Sequence, residues 1–123
     1  MPPWFFAPGE IMPLIASIRE WITCITIGYG SVAPVHHDKL SSCNVKPVGV
    51  IETNAAKHDA IRKKGYPVCD TYEEALQLTP DFWDICCPVD DHVTVIENIT
   101  ALDPHARIIV EKPICNFEEI RWC

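Results

Sequence analysis

A glycine-rich segment follows the first strand-like apolar run of the chain, and its spacing suits the binding of a pyrophosphate. Gly28, Gly30 and Ala33 fit the pattern G-x-G-x-x-G/A directly after the run Ile22–Ile27. The first glycine allows a tight turn, the second lets the backbone approach phosphate, and the small third residue lets a helix pack closely on the strand. We therefore expect five loop residues to contact a dinucleotide: Gly28, Tyr29, Gly30, Ser31 and Val32.

An acidic residue ends the second predicted strand. Glu52 lies 24 residues after Gly28 and is followed by Thr53. A carboxylate at this place can accept hydrogen bonds from the hydroxyls of an adenosine ribose, and it repels a 2′-phosphate. The sequence therefore predicts that Glu52 and Thr53 bind the cofactor and that NAD is favoured over NADP.

Two further segments follow the fourth and fifth predicted strands. They read Cys87-Pro88-Val89-Asp90-Asp91-His92 and Val110-Glu111-Lys112-Pro113. With the glycine loop, they resemble the family of glucose-fructose oxidoreductase, inositol dehydrogenase and MocA. In that family a proline followed four residues later by a histidine comes after the fourth strand, and a Glu-Lys-Pro tripeptide follows the fifth. The resemblance covers about residues 24–120.

The resemblance implies an NAD(P)-dependent oxidoreductase that moves hydride to or from the hydroxyl or carbonyl carbon of a sugar, cyclitol or related small molecule. Lys112 is the expected catalytic residue, because an ammonium group can hold a substrate oxygen and stabilise charge that develops on it. Glu111 would steady this lysine, which would lie beside the cofactor, or the loop that carries it. The remaining cofactor contacts implied by the resemblance are Cys87, Pro88, Val89 and His92.

The elements that must position these residues alternate between strand-like and helix-like segments. This order predicts an α/β fold, a doubly wound, Rossmann-like parallel sheet in three layers. The predicted strands are Ile22–Ile27, Pro47–Ile51, Tyr66–Cys69, Trp83–Cys87 and Arg107–Val110. The predicted helices are Ser31–Cys43, a helix from Asn54 to Gly65, one capped by Thr71, one with the buried face Val93, Ile96, Ile99 and Leu102, and a last one over Asn116–Glu119.

The chain divides into two parts. Residues 1–21 are an N-terminal extension in which Ile11–Trp21 predicts a short amphipathic helix, packed on its own sheet or against a second subunit. Residues 22–123 are the dinucleotide-binding domain. The family ordinarily has a second α+β domain for its substrate, and we expect it to be absent from 123 residues. Three hypotheses follow: a fragment of a larger oxidoreductase, a small protein whose site a partner chain completes, or a non-catalytic binding module.

Composition excludes several classes of function. A net charge of -7 disfavours nucleic acid, and the apolar run near the N-terminus is broken by Pro8, Gly9, Glu10 and Pro13, so it predicts neither a signal peptide nor a membrane span. None of the seven cysteines forms a C-x-x-C pair, so neither zinc nor a disulfide framework is expected. Reduced cysteines and a cytoplasmic location are predicted.

Three more expectations concern metals, partners and a competing activity. His36 and His37 are adjacent on a predicted helix and cannot readily share one metal ion, so no metal site is expected and at least one of them should face solvent. The expected partners are a small-molecule substrate and a second copy of the chain, or another chain that completes the site. The glycine loop and Glu52 also suit an S-adenosylmethionine-dependent methyltransferase, but the Glu-Lys-Pro element argues against that function.

Overall fold

A computed structural model describes residues 21–116 and residue 118. Within them, four parallel strands alternate with helices. The strands are β1 (Ile22–Ile27), β2 (Val45–Ile51), β3 (Phe82–Ile85) and β4 (Ile108–Val110). The helices are α1 (Val32–Ser41), α2 (His58–Lys63), α3 (Tyr72–Gln77) and α4 (His92–Leu102). The helix predicted over Ile11–Trp21 lies outside the described residues except for Trp21, and the one predicted over Asn116–Glu119 lies partly outside them.

The strand order determines where a ligand can bind. It is β2-β1-β3-β4, with every pair parallel. The chain therefore moves outward from β1 to β2 and then crosses to β3 on the other side of β1. The connections leave the carboxyl ends of β1 and β3 in opposite directions, and this opens a crevice between them.

One predicted strand is wrong. Tyr66–Cys69 is not a strand but a single parallel bridge between Val50 and Val68. The Val50 N–H donates to the Pro67 carbonyl at 2.9 Å, and the Cys69 N–H donates to the Val50 carbonyl at 2.8 Å. Pro67 has no N–H to continue the ladder, so pairing stops after one residue. The α/β prediction is confirmed, with four strands instead of five.

Local capping signals operate as predicted. The Asn54 side chain accepts from the Ala56 N–H at 3.0 Å, and a 3-10 turn over Ala55–Lys57 leads into α2. The Thr71 hydroxyl accepts from the Glu74 N–H at 3.1 Å, while the Glu74 carboxylate accepts from the Asp70 N–H at 2.9 Å. The bonds to Asn54 and Thr71 satisfy N–H groups that the first turn of a helix leaves without intrahelical partners, and the bond to the Glu74 carboxylate ties down the residue before the N-cap.

Helices cover both faces of the sheet, so the predicted three layers are confirmed. On one face α3 and α4 pack on β1 and β3 around a core that includes Ile25, Trp83 and Ile99. On the other face α1 and α2 contribute Ala33 and Ile61 to a smaller apolar cluster. The predicted buried side of α4 is confirmed in part: Ile99 is buried and Ile96 packs against the core, whereas the other buried residues are His92 and Val95, and Leu102 is exposed.

Of the cysteines that the structure describes, five are free: Cys24, Cys43, Cys69, Cys86 and Cys87. Of these, Cys24, Cys69 and Cys86 are buried, as expected of small apolar residues in strand-like segments. Cys115 is disulfide-bonded, which the cysteine spacing did not predict. No helix in the described part of the chain is long and apolar enough to cross a membrane.

Candidate functional site

The turn after β1 is built on Gly28. Its φ is +87°, and its N–H donates to the Ile51 carbonyl at 2.8 Å. A Cβ at this position would lie 2.9 Å from both Cα and N of Cys87. Glycine is therefore required for two reasons: the backbone is left-handed at this position, and the backbone of the loop after β3 leaves no space for a Cβ. The turn brings the loops after β1 and β3 into contact.

The start of α1 is available to an anion. Ser31 makes no side-chain capping bond, and the first turn contains no acidic residue. The N–H groups of a first helical turn have no intrahelical partners and lie at the positive end of the helix dipole. Ala33 is fully buried, which holds this turn close to the sheet. A Cβ on Gly30 would have no atom within 4 Å, so the loop is open on the side where a phosphate would approach.

Glu52 joins the loop after β2 to the glycine loop. Its Oε1 accepts from the Tyr29 N–H, and its Oε2 accepts from the Asn54 N–H, each at 2.9 Å. The Lys57 ammonium lies 3.8 Å from Oε1. Burial alone would raise the pKa of Glu52, but the donated N–H bonds from Asn54 and Tyr29, together with Lys57, lower it below its usual value. The side chain is therefore a fixed carboxylate at the border of the cleft.

A cleft of about 750 Å³ lies above the carboxyl ends of the strands. Nine of the predicted cofactor residues line it: Gly28, Tyr29, Gly30, Ser31, Val32, Glu52, Thr53, Cys87 and Pro88. The tertiary structure therefore brings together the residues predicted after β1, β2 and β3. Phosphate-binding N–H groups and a fixed carboxylate border one cleft, and this arrangement suits a dinucleotide.

Four predicted residues are not among those that line the cleft: Val89, His92, Glu111 and Lys112. Val89 begins a short 3-10 turn before α4. Lys112 is exposed, and it follows β4. The sequence motifs place these residues near the carboxyl end of the sheet, but they do not decide which way each side chain points.

His92 is a buried structural link. It is 2% exposed, its Nε2 lies 3.0 Å from the Cys87 carbonyl oxygen, and its Nδ1 lies 3.0 Å from the Ile114 carbonyl oxygen. The imidazole therefore connects the loop after β3 to the segment after β4. We assign His92 the positioning of these two loops, whereas the sequence predicted a cofactor contact.

The expectation that His36 or His37 faces solvent is wrong. His37 is buried, and its Nε2 shares a hydrogen bond of 2.8 Å with the Thr26 hydroxyl. The His36 side chain is 16% exposed and lies between the carboxylates of Asp84 and Glu111. Burial alone would lower the pKa of His36, but the hydrogen bonds to Glu111 and Asp84 outweigh it and raise the pKa.

Sequence reasoning missed several residues of the cleft. Lys57 lies beside Glu52, and Tyr72 begins α3. The strand ends contribute Ile27, Ile51 and Cys86, and α4 with the residue directly before it contributes Asp91, Thr94, Val95 and Asn98. A signal existed, since the polar residues Asp91, Thr94 and Asn98 recur at helical spacing beside the buried side of α4.

Comparisons with known proteins agree with this geometry. A family model described as "Oxidoreductase family, NAD-binding Rossmann fold" matches residues 22–121. A search of curated proteins finds no match.

Three solved structures are similar to the chain. An NAD-binding protein from Listeria innocua is 28% identical over 76% of the chain, with a TM-score of 0.67. A protein from Desulfitobacterium hafniense, provisionally described as an NADPH-dependent oxidoreductase, is 26% identical over 77% with a TM-score of 0.68. The apo scyllo-inositol dehydrogenase from Lactobacillus casei shares the fold, at 22% identity over 84% and a TM-score of 0.68. The chain covers 28 to 32% of the lengths of these proteins.

Proposed function

Because the chain belongs to the oxidoreductase family of glucose-fructose oxidoreductase, inositol dehydrogenase and MocA, with its NAD-binding Rossmann fold, we propose that it binds NAD in the described cleft. The observation that carries the proposal is the position of Glu52. This carboxylate is tied to the glycine loop through the Tyr29 N–H and lies at the border of the cleft. It is thus placed to accept bonds from ribose hydroxyls while the loop meets the pyrophosphate.

The proposed contacts follow the order of the strands. The N–H groups at the start of α1 and the loop from Gly28 to Val32 bind the pyrophosphate, while Glu52 and Thr53 bind the adenosine ribose. Cys87 and Pro88 guide the cofactor across the end of β3. A 2′-phosphate would meet the Glu52 carboxylate, and therefore NADP is the weaker ligand, although Lys57 offsets part of this repulsion.

The test of cofactor binding is calorimetric titration with NAD and with NADP. Replacing Glu52 with Gln removes a charge that strengthens its hydrogen bonds, and charge-assisted bonds contribute about 1.5–3 kcal/mol each. We expect the E52Q variant to bind NAD about 10- to 100-fold more weakly and to lose the preference for NAD over NADP. Glu73→Gln, at an exposed glutamate on α3 outside the cleft, is the matched control. A folded chain that binds neither nucleotide would refute the proposal.

For the whole protein we propose hydride transfer between this cofactor and a hydroxyl or carbonyl carbon of a sugar, cyclitol or related small molecule. Nicotinamide supplies the hydride chemistry, and the chain supplies binding and orientation. Lys112 would hold the substrate oxygen. Support comes from the family and from its Glu-Lys-Pro element at Glu111–Pro113.

A second candidate is a dinucleotide-binding module whose site a partner chain or a second copy completes, or which has no catalytic activity. The observation that favours it is the position of Lys112, which is exposed and does not line the cleft. The two candidate functions predict different results for the Lys112→Ala variant. Loss of turnover with unchanged NAD affinity supports catalysis by this lysine. If the chain is a binding module, it alone oxidises no sugar or cyclitol, and the substitution changes neither turnover nor NAD affinity. Lys63→Ala, at an exposed lysine at the end of α2, serves as the control.

A further inference from the structure

Three side chains with metal-binding atoms converge between α1 and β3. Asp84 and Cys86 are two residues apart and project from the same face of the sheet, and His36 reaches them from α1. The His36 Nδ1 lies 3.0 and 3.1 Å from the two Asp84 oxygens and 3.3 Å from the Cys86 Sγ, which is 3.5 Å from the nearer Asp84 oxygen. Asp84 and Cys86 are buried, and His36 is largely so.

These separations match one face of a coordination tetrahedron. Zinc binds imidazole nitrogen and carboxylate oxygen at about 2.0–2.2 Å and thiolate sulfur at about 2.3 Å, so tetrahedral ligand atoms lie roughly 3.3–3.6 Å apart. The separations of 3.1, 3.3 and 3.5 Å among the His36 Nδ1, the Asp84 Oδ2 and the Cys86 Sγ fall within about half an ångström of these values.

Glu111 orients the imidazole for this role. The His36 Nε2 lies 2.7 Å from the Glu111 Oε1, a carboxylate oxygen that would accept a hydrogen bond from an Nε2 that carries the proton. With that proton on Nε2, the Nδ1 lone pair points toward two other electron-rich atoms, on Asp84 and Cys86. Such an arrangement is stable only when a cation, either a proton or a metal ion, lies among the three. A carboxylate on the far nitrogen of a ligating histidine is the usual outer support of a zinc-bound imidazole.

The same contacts argue against a nucleophilic cysteine. Although Cys86 and His36 are within hydrogen-bond distance, burial and the neighbouring Asp84 carboxylate raise the pKa of the Cys86 thiol. A catalytic thiolate needs a positive environment that lowers the pKa. A dipositive ion would neutralise one thiolate and one carboxylate, and this would remove the cost of burying both.

We propose that His36, Asp84 and Cys86 bind a divalent transition-metal ion of the zinc class, with Glu111 as a positioning residue. Imidazole and thiolate ligands select zinc or a similar ion over Mg²⁺ and Ca²⁺, which prefer oxygen. Cys86 also lines the cleft, so a water molecule from the cleft can complete the coordination. The sequence analysis expected no metal because the adjacent His36 and His37 cannot readily share one ion and the cysteines lack ligand spacing. Two elements of the fold instead bring His36 to Asp84 and Cys86.

The first test is titration of the metal-free chain with Co²⁺, followed by Zn²⁺. We expect one equivalent of Co²⁺ to produce the visible bands of a tetrahedral ion and a thiolate-to-cobalt charge-transfer band, and Zn²⁺ to abolish both. Cys86→Ser should remove the charge-transfer band, whereas Cys69→Ser, at a buried cysteine away from the cluster, should keep it. Glu111→Gln should weaken Zn²⁺ binding about 10- to 100-fold with the band intact. A band unchanged in Cys86→Ser would overturn the proposal.

A second measurement does not depend on whether the variants fold. X-ray absorption at the zinc edge of the unaltered chain with one equivalent of Zn²⁺ should show one sulfur at about 2.3 Å and nitrogen or oxygen ligands at about 2.0–2.2 Å. A shell without sulfur, or with two or more sulfurs, would overturn the assignment. So would failure of the folded chain to retain Zn²⁺ at all.

Discussion

Replacing Gly28 with Ala tests whether the turn after β1 is held by the loop after β3. The substitution adds a Cβ 2.9 Å from the Cα and N atoms of Cys87. It also places alanine at a φ of +87°. The Cys87 atoms belong to the backbone of a loop anchored by His92, so they cannot rotate away as the end of a flexible side chain would.

The magnitude follows from two contributions. A left-handed backbone costs a residue with a Cβ about 1–2 kcal/mol, and added volume in a tightly packed place costs about 1–3 kcal/mol more. We therefore expect Gly28→Ala to lower the free energy of unfolding by about 2–5 kcal/mol. Gly65 separates the contributions, because its φ is +93° and a Cβ there has no atom within 4 Å. Gly65→Ala should cost only the backbone part, about 1–2 kcal/mol.

The assay is urea unfolding of the chain and of both variants, with NAD titration of those that remain folded. A third variant, Gly30→Ala, completes the set, since Gly30 has neither a positive φ nor a neighbour within 4 Å of its added Cβ. Its free energy of unfolding should lie within about 0.5 kcal/mol of that of the unaltered chain, and yet it should bind NAD more weakly. If Gly28→Ala is no less stable than Gly65→Ala, the contact with Cys87 does not constrain the turn and this reasoning is refuted.

Three further predictions use other parts of the site. The lowered pKa of Glu52 means that its carboxylate stabilises the fold above the ordinary value of 4.5 and that this contribution is lost as the pH falls through the lower folded value. The urea midpoint of the unaltered chain should therefore fall toward that of Glu52→Gln as the solution is acidified below pH 4.5; a constant difference would contradict this. Burial raises the pKa of Cys87 from 9.0 to about 11, so its thiolate is about 100-fold scarcer at neutral pH. Alkylation followed by mass spectrometry should show exposed Cys43 modified well before Cys87, and NAD should slow only Cys87; equal protection of both would count against the proposed binding site. His92→Leu removes the imidazole that lies between the Cys87 and Ile114 carbonyls and should cost about 1–3 kcal/mol in urea unfolding, and an unchanged midpoint would show that the link is dispensable.

Short-range signals predicted much of the fold. Gly28, Asn54 and Thr71 mark a turn and two helix starts, because the conformation each favours depends on residues within three or four positions. The strands predicted at β1 and β3 are likewise apolar runs that a parallel sheet buries on both faces. Tyr66–Cys69 is a similar apolar run, but it forms only a single bridge. A strand also needs a partner with which the ladder can continue beyond Pro67.

Motifs predicted the candidate site less completely. The residues of the glycine loop, Glu52 and Pro88 come to one cleft because each lies in the segment that follows a strand, and parallel strands end on the same edge. Lys112 and His92 occupy the expected places in the chain, but side-chain direction depends on neighbours from other elements. His92 bonds to two carbonyl groups, one after β3 and the other after β4.

The sequence by itself determined an α/β sheet, the turn at Gly28 and the acidic end of β2, because these depend on local backbone geometry and on the order of strands and helices. Only the tertiary structure decided which side chains share a space. It placed Lys57 beside Glu52, and it brought His36 from α1 to Asp84 and Cys86 on β3 and the loop that follows it. Side chains 48 and 50 residues apart become neighbours through packing of a helix on a sheet, and no local spacing encodes that contact.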